Sequence, residues 1–209
     1  MEYRYLLRYE KSGTARYIGH IDFIRAFQRA MKRAGLPVSY AGGFNPRQRL
    51  SFALPLPVGF AGYSEYAEIF LTEPADCPEI IKRLNNTLPS GVSARAARPL
   101  GESEKGPASV VRAAKYGAEL YGITDIEKHI ANFIESGTDD AGRVISITAV
   151  SENKAEMILP QGNENNMKPE YVAAALHGLS RTPYDRALTV FSRLELYRAD
   201  GGGLAPIFG

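Results

Sequence analysis

A single cysteine, three histidines and no long apolar run set the first limits on this chain. Cys77 alone cannot close an internal disulfide, and without a Cys-x-x-Cys pair thiol chemistry is not expected. His20, His129 and His177 do not have the spacing of a metal site. The longest apolar runs, such as Phe52 to Pro57, fall far short of the ~20 residues of a membrane span. Met1-Glu2-Tyr3-Arg4-Tyr5 lacks the apolar core of a secretory signal. Neither phosphate-cradling pattern, Gly-x-x-x-x-Gly-Lys-Ser/Thr or Gly-x-Gly-x-x-Gly, occurs, so Gly13, Gly42 and Gly43 read as turn formers. No serine sits in a nucleophile elbow. Glu65 and Glu68 are three apart on an expected strand and face opposite sides, which argues against a carboxylate pair. The expectation is a soluble, cytoplasmic protein with no cofactor, no metal and no membrane partner.

What is present is a lopsided charge. Residues 1–50 hold ten Lys and Arg against three Asp and Glu, a net +7; the whole chain is +2, which leaves −5 for residues 51–209. A basic quarter on a nearly neutral chain suits an anionic polymer, because many weak phosphate contacts add up through counterion release.

At 209 residues the chain has room for two domains of about 100 residues. Tyr3 to Tyr9 alternates as a half-buried strand. His20 to Leu36 is a predicted helix with Ile24, Phe27, Met31 and Ala34 on its apolar face, joined by Phe23 and Ala30, and with Gly35 and Pro37 at its end. Strands at Leu50 to Leu56 and Tyr63 to Thr72, a helix at Pro78 to Leu88 and a strand at Val92 to Ala97 complete a β-α-β-β-α-β order. Residues 101–108 read as a linker. The order then repeats: a strand at Val110 to Leu120, a helix at Asp125 to Ser136 capped by Thr124 or Asp125, a hairpin of Val144 to Val150 with Ala155 to Leu159, a helix at Pro169 to Leu179, and a strand at Leu188 to Tyr197. The expected fold is α+β: two tandem ferredoxin-like (β-α-β-β-α-β) units with antiparallel sheets, over 1–100 and 109–198, with a loose tail at 199–209.

At ~100° per residue, Arg25, Arg29, Lys32 and Arg33 gather on one side of the first helix, opposite its apolar face. No acidic residue stands four positions on from them. Arg16 and Tyr17 precede the helix, and Asn45, Arg47 and Arg49 lie in the loop after it. Cations accompanied by an aromatic ring suit RNA, whose phosphates they neutralise and whose unpaired bases can stack. His20 opens the helix. Its ring is a candidate for binding phosphate, base or ribose, for general acid–base cleavage of RNA with Tyr17, or, together with Asp22, for capping the helix. The helix N-terminus disfavours a charged ring and Asp22 favours one. His129 and His177, inside predicted helices, read as surface or packing residues.

The stretch Arg16-Tyr17-Ile18-Gly19-His20-Ile21-Asp22, then Arg25, Arg29, Arg33-Ala34-Gly35-Leu36-Pro37, Tyr40, Gly43-Phe44-Asn45-Pro46 and Leu54-Pro55-Leu56-Pro57-Val58-Gly59, resembles the bacterial radical-SAM-linked domain family of unknown function. The resemblance is strongest over residues 3–72 and continues to about residue 198. That family's loop reads Asn-Pro-His-Pro where this chain has Asn45-Pro46-Arg47-Gln48-Arg49. With no Cys-x-x-x-Cys-x-x-Cys the chain cannot hold a radical SAM cluster itself. The resemblance therefore implies a standalone member acting alongside a radical SAM or RNA-processing enzyme, with ribosomal or transfer RNA as the expected partner. The layout is also similar to the double ferredoxin-like fold of CRISPR repeat-processing endoribonucleases, a likeness of architecture only. Three functions follow: a noncatalytic RNA-binding module, a metal-independent endoribonuclease using His20 and Tyr17, and a protein adaptor for a radical SAM enzyme.

Overall fold

Tyr3–Lys11 forms the first strand, β1, in the computed structural model, which describes residues 2–162 and 165–209. The chain divides into two units, Met1–Val111 with Pro206–Gly209, and Arg112–Ala205. In the first unit β1 is followed by a 3₁₀ turn at Gly13–Tyr17, α1 at His20–Arg33, β2 at Leu50–Phe52, β3 at Ala61–Leu71, α2 at Cys77–Asn85, β4 at Val92–Pro99 and a one-turn α3 at Pro107–Val110. Its strands lie in the order β4-β1-β3-β2, with antiparallel pairings throughout.

Period-two alternation sends Tyr5, Leu7 and Tyr9 of β1 to one face, with Ala67, Ile69 and Leu71 of β3 and Val92 and Ala94 of β4. Phe23, Phe27 and Met31 of α1 and Ile80 and Leu84 of α2 bury against that face. Tyr9, Phe23, Phe27 and Phe52 form a closed ring cluster, every pair 5.4–5.9 Å apart between centroids and mostly tilted or edge-on, as ring quadrupoles favour.

α1 ends three residues before the periodicity suggests, and the reason is local. Gly35 adopts φ 62, a conformation that penalises any Cβ. Leu36 N–H then reaches the Met31 carbonyl at 3.3 Å and Gly35 N–H the Lys32 carbonyl at 3.0 Å, closing a Schellman turn. β2 is also shorter than the expected 50–56, because Pro55 and Pro57 have no N–H to give a ladder. Residues 39–49 fold back on themselves as an arm. A bridge joins Tyr40 to Gln48, Ala41 N–H donates to the Arg47 carbonyl at 2.8 Å, and Gly42 to Pro46 make the tip.

The second unit has β5 at Val111–Glu119, α4 at Ile126–Glu135, α5 at Asp139–Arg143, β6 at Ser146–Ser151, β7 at Lys154–Pro160, α6 at Pro169–Ser180, β8 at Val190–Asp200 and β9 at Gly203–Pro206. Its strands lie in the order β8-β5-β7-β6, with β9 on β8. Numbered within each unit, the first four strands of both run four-one-three-two. The architecture is mixed α+β, with two or more helices per unit among the described residues. Ile126, Ile130 and Phe133 of α4, Val172, Ala173 and Leu176 of α6, and Ala155, Met157 and Leu159 of β7 are buried.

Two segments are more ordered than expected. In 101–108, read as a linker, Glu104 pairs with Arg98 at 2.6 Å, and α3 begins at Pro107. In 199–209, read as a loose tail, β8 runs to Asp200, β9 follows, and Phe208 lies under the guanidinium of Arg8 at 5.5 Å. Sequence periodicity missed both because contacts distant in the chain help hold them: Arg4 donates to the Gly101 carbonyl at 3.1 Å, and Arg8 meets Phe208.

Candidate nucleic-acid interface

The ten cations of the first fifty residues do not act together. Alternation places Arg4 and Arg8 on the sheet face away from α1 and α2, where Arg4 donates to Glu68 at 2.7 Å and Arg8 covers Phe208. Lys11 is only 2% exposed; its ammonium donates to the Ile18 carbonyl at 2.7 Å and sits 4.9 Å above the Phe23 ring. Arg16 donates to the Tyr17 hydroxyl at 2.6 Å and stacks on that ring at 4.8 Å. Arg33 turns toward α2 and donates to the Thr87 carbonyl at 2.6 Å, tying the end of α1 down. Arg49 pairs with Glu2 and lies 4.1 Å over Phe70. Hydrogen bonds from Ser39 and Arg49 hold the Glu2 carboxyl below the usual carboxylate range.

The remaining four meet. Arg25, Arg29 and Lys32 project from α1 into a groove of about 600 Å³, and Arg47 enters it from the arm. Arg25 has an exposed partner three residues back, Asp22 at 3.4 Å, a pair worth little in water. Arg29, Lys32 and Arg47 have no acidic partner among the described residues. The walls below them are apolar: Ile21 and Ile24 from α1, Tyr40 and Pro46 from the arm. Ile24, expected on the buried face, is only half-buried and lines the groove instead. Periodicity also overlooked Gln28 and Gln48, the polar residues of the groove. The one signal for the arm was its Gly42-Gly43 pair, read as turn formers.

The expected site is thus split. Arg25, Arg29, Lys32 and Arg47 come together, whereas Arg33 and Arg49 are bound elsewhere, and Asn45 is exposed at the arm tip outside the groove walls. Tyr17 and His20 are not groove walls either. The His20 ring rests edge-on against Phe52, 6.0 Å away at 74°. Burial, and then the nearby Lys11 ammonium, push its pKa below the usual histidine value. Asp22, expected to favour a charged ring, pairs with Arg25 instead. Nor does a side chain cap α1: its N-cap is Gly19, with no side-chain hydrogen bond.

In the second unit a groove of about 700 Å³ between α4 and the β6–β7 turn carries the opposite sign, with Asp125, Glu127 and Glu152 against Lys128. His177 is 2% exposed and bonds Thr182 at 2.9 Å through Nδ1; burial lowers its pKa. Among the described residues no group of His, Cys, Asp and Glu is placed to hold a metal, and no helix is long and apolar enough to cross a membrane.

Residues 4–169 match a family described as an uncharacterized protein conserved in bacteria, DUF2344. The chain belongs to this family. The matched segment includes α1, the arm and the whole basic groove; most of α6 and everything after it lie outside. A comparison with curated proteins gives no match. Among solved structures, an unknown protein from Galdieria sulphuraria is similar at 12% identity over 96% of this chain and 100% of that one, with a TM-score of 0.29.

Proposed function

We propose that this protein is an RNA-binding accessory module that holds ribosomal or transfer RNA in the groove between α1 and the arm. One observation carries the reading: four cations from two different elements converge on one groove, and three of them have no acidic partner among the described residues. Solvated charge on an ordinary helix face is normally interleaved with the opposite sign. Here the neutralising groups are missing where phosphates would supply them.

The motif resemblance supports a place alongside a radical SAM or RNA-processing enzyme. The four-one-three-two strand order of both units supports reading each as ferredoxin-like, the arrangement shared with CRISPR repeat-processing nucleases. RNA cleavage draws less support than binding. The Tyr17 hydroxyl is engaged by Arg16, and His20 packs on Phe52 outside the groove.

The test is a salt titration of the full chain against a labelled transfer RNA. Four phosphate contacts give a slope of log affinity against log salt of about −3. A flat titration, with capture of a radical SAM enzyme that survives high salt, would replace this reading with the adaptor.

A further inference from the structure

Resting on that RNA-binding reading, we propose that the groove takes an unpaired stretch of RNA, with bases stacked on Tyr40 and on Phe44 at the tip of the arm. Charge alone does not explain the groove. Its floor is apolar, Ile21 in it is 61% exposed, Tyr40 in its wall is 49% exposed, and Phe44 beside it is fully exposed. Single exposed apolar residues need no explanation. Here Ile21 and Tyr40 lie among the cations of one groove, and Phe44, more exposed than either, stands at the arm tip two residues from the groove-lining Pro46.

A duplex would leave that apolar surface wet. It turns phosphates and sugars outward, its bases are stacked inside, and its deep groove is too narrow for side chains. An unpaired strand offers both things the groove presents: a row of phosphates and base faces free to stack. The cations also run lengthwise. Arg25, Arg29 and Lys32 are separated by about 6 Å and about 4.5 Å of helix rise, so they line up along one strand rather than across two. Gly42 and Gly43, with nothing within 4 Å of where a side chain would begin, leave open space around the tip that carries Phe44.

Fluorescence anisotropy on the full chain tests this with a mixed-sequence RNA of about a dozen nucleotides, used alone and annealed to its complement at equal salt. The single strand should bind at least about ten-fold more tightly. Phe44→Ala should weaken single-strand binding about ten-fold while leaving its salt slope unchanged, and Phe44→Tyr should restore most of the affinity. Arg29→Glu should weaken binding and flatten the slope. Equal affinity for duplex and single strand, or an unaffected Phe44→Ala beside a weakened Arg29→Glu, overturns the single-strand assignment and leaves RNA binding standing. Absence of salt-dependent binding to either RNA overturns both. Displacement of the RNA by a glutamate–tyrosine copolymer as readily as by unlabelled RNA assigns the groove to an acidic protein segment and overturns both.

Discussion

α1 and α4 hold the same position in the element order of their units, and each buries one face. α1 buries Phe23, Phe27, Ala30 and Met31; α4 buries Ile126, Ile130 and Phe133. Their solvent faces differ in kind. α1 presents Arg25, Arg29 and Lys32 to a groove closed by an eleven-residue arm. α4 presents Glu127 and Lys128 to a groove with a surplus of acid, and its chain continues into a short helix opening on Asp139 and Asp140. The core-facing pattern, repeated in both units, builds the sheet-and-helix frame. The outward pattern and the connection after the helix vary independently of it, and they carry whatever distinguishes one unit's chemistry from the other's.

The shared half of this comparison predicts the largest effect. Phe27 is fully buried in the four-ring cluster, and Phe133 is buried in the second unit. Phe27→Ala and Phe133→Ala should each destabilise by about 3–5 kcal/mol in urea denaturation, through lost burial and the cavity left behind. A cost under about 1 kcal/mol for either one would break the claim that the two helices are held in the same way.

The divergent half predicts the next effect. Arg29→Glu with Lys32→Glu should reduce RNA affinity about ten- to a hundred-fold, the scale of one or two lost charge-assisted contacts. Lys128→Glu on α4 should leave affinity unchanged. Melting temperature should barely move in either variant, because these side chains are exposed. An equal loss from Lys128→Glu would place RNA on both units and erase the distinction.

Sequence alone carried the frame further than the site. The 3.6-residue period located α1 and its cationic stripe, and Gly35 marked where it stops. Strand alternation located β1, β3, β7 and β8 to within a few residues. The partners of Arg33 and Arg49 were out of reach: Thr87 and Glu2 are distant in sequence, and no periodicity pairs residues across such gaps. Ile24 was assigned to the core because a helical wheel knows two sides, core and solvent. The arm adds a third environment. Phe52, against whose ring the His20 ring rests, comes from a strand about thirty residues downstream, beyond the reach of periodicity.

A smaller effect compares the two shifted histidines. Burial lowers the pKa of His177, and burial with Lys11 lowers that of His20, so the unfolded chain binds protons more readily than the folded one below the ordinary value of ~6.5. Their contribution to stability is therefore complete above that pH and is lost as pH falls through it toward the lower folded values. Melting temperature should decline on acidification from neutrality. His177→Asn, which removes the titration but can still bond Thr182, should flatten the decline. His20→Asn should flatten it less, because its ring is only half-buried. A steeper decline in His177→Asn than in the parent protein would refute the assignment.

The smallest effect concerns how the same two helices begin. Gly19, the N-cap of α1, has φ −63 and ψ 156, an extended conformation open to any residue, and nothing stands within 4 Å of where its Cβ would be. Asp125, the N-cap of α4, has φ 53, the left-handed region that favours glycine, and its carboxylate caps nothing. Each helix thus has at its start the residue better suited to the other. Gly19→Ser supplies a hydroxyl to accept from a free N–H of the first turn and stiffens the unfolded chain, and should stabilise by about 0.5 kcal/mol. Asp125→Gly relieves the left-handed backbone, worth about 1 kcal/mol, but removes a charge that favours the helix N-terminus by about 0.3–1 kcal/mol. Its net gain should be smaller and should grow with added salt, which screens the lost charge interaction but not the backbone relief. Thermal melts of the two variants in low and high salt check both signs. Destabilisation by Gly19→Ser would mean that the start of α1 needs its glycine for something other than the helix, and the candidate would be the neighbouring Tyr17 and His20.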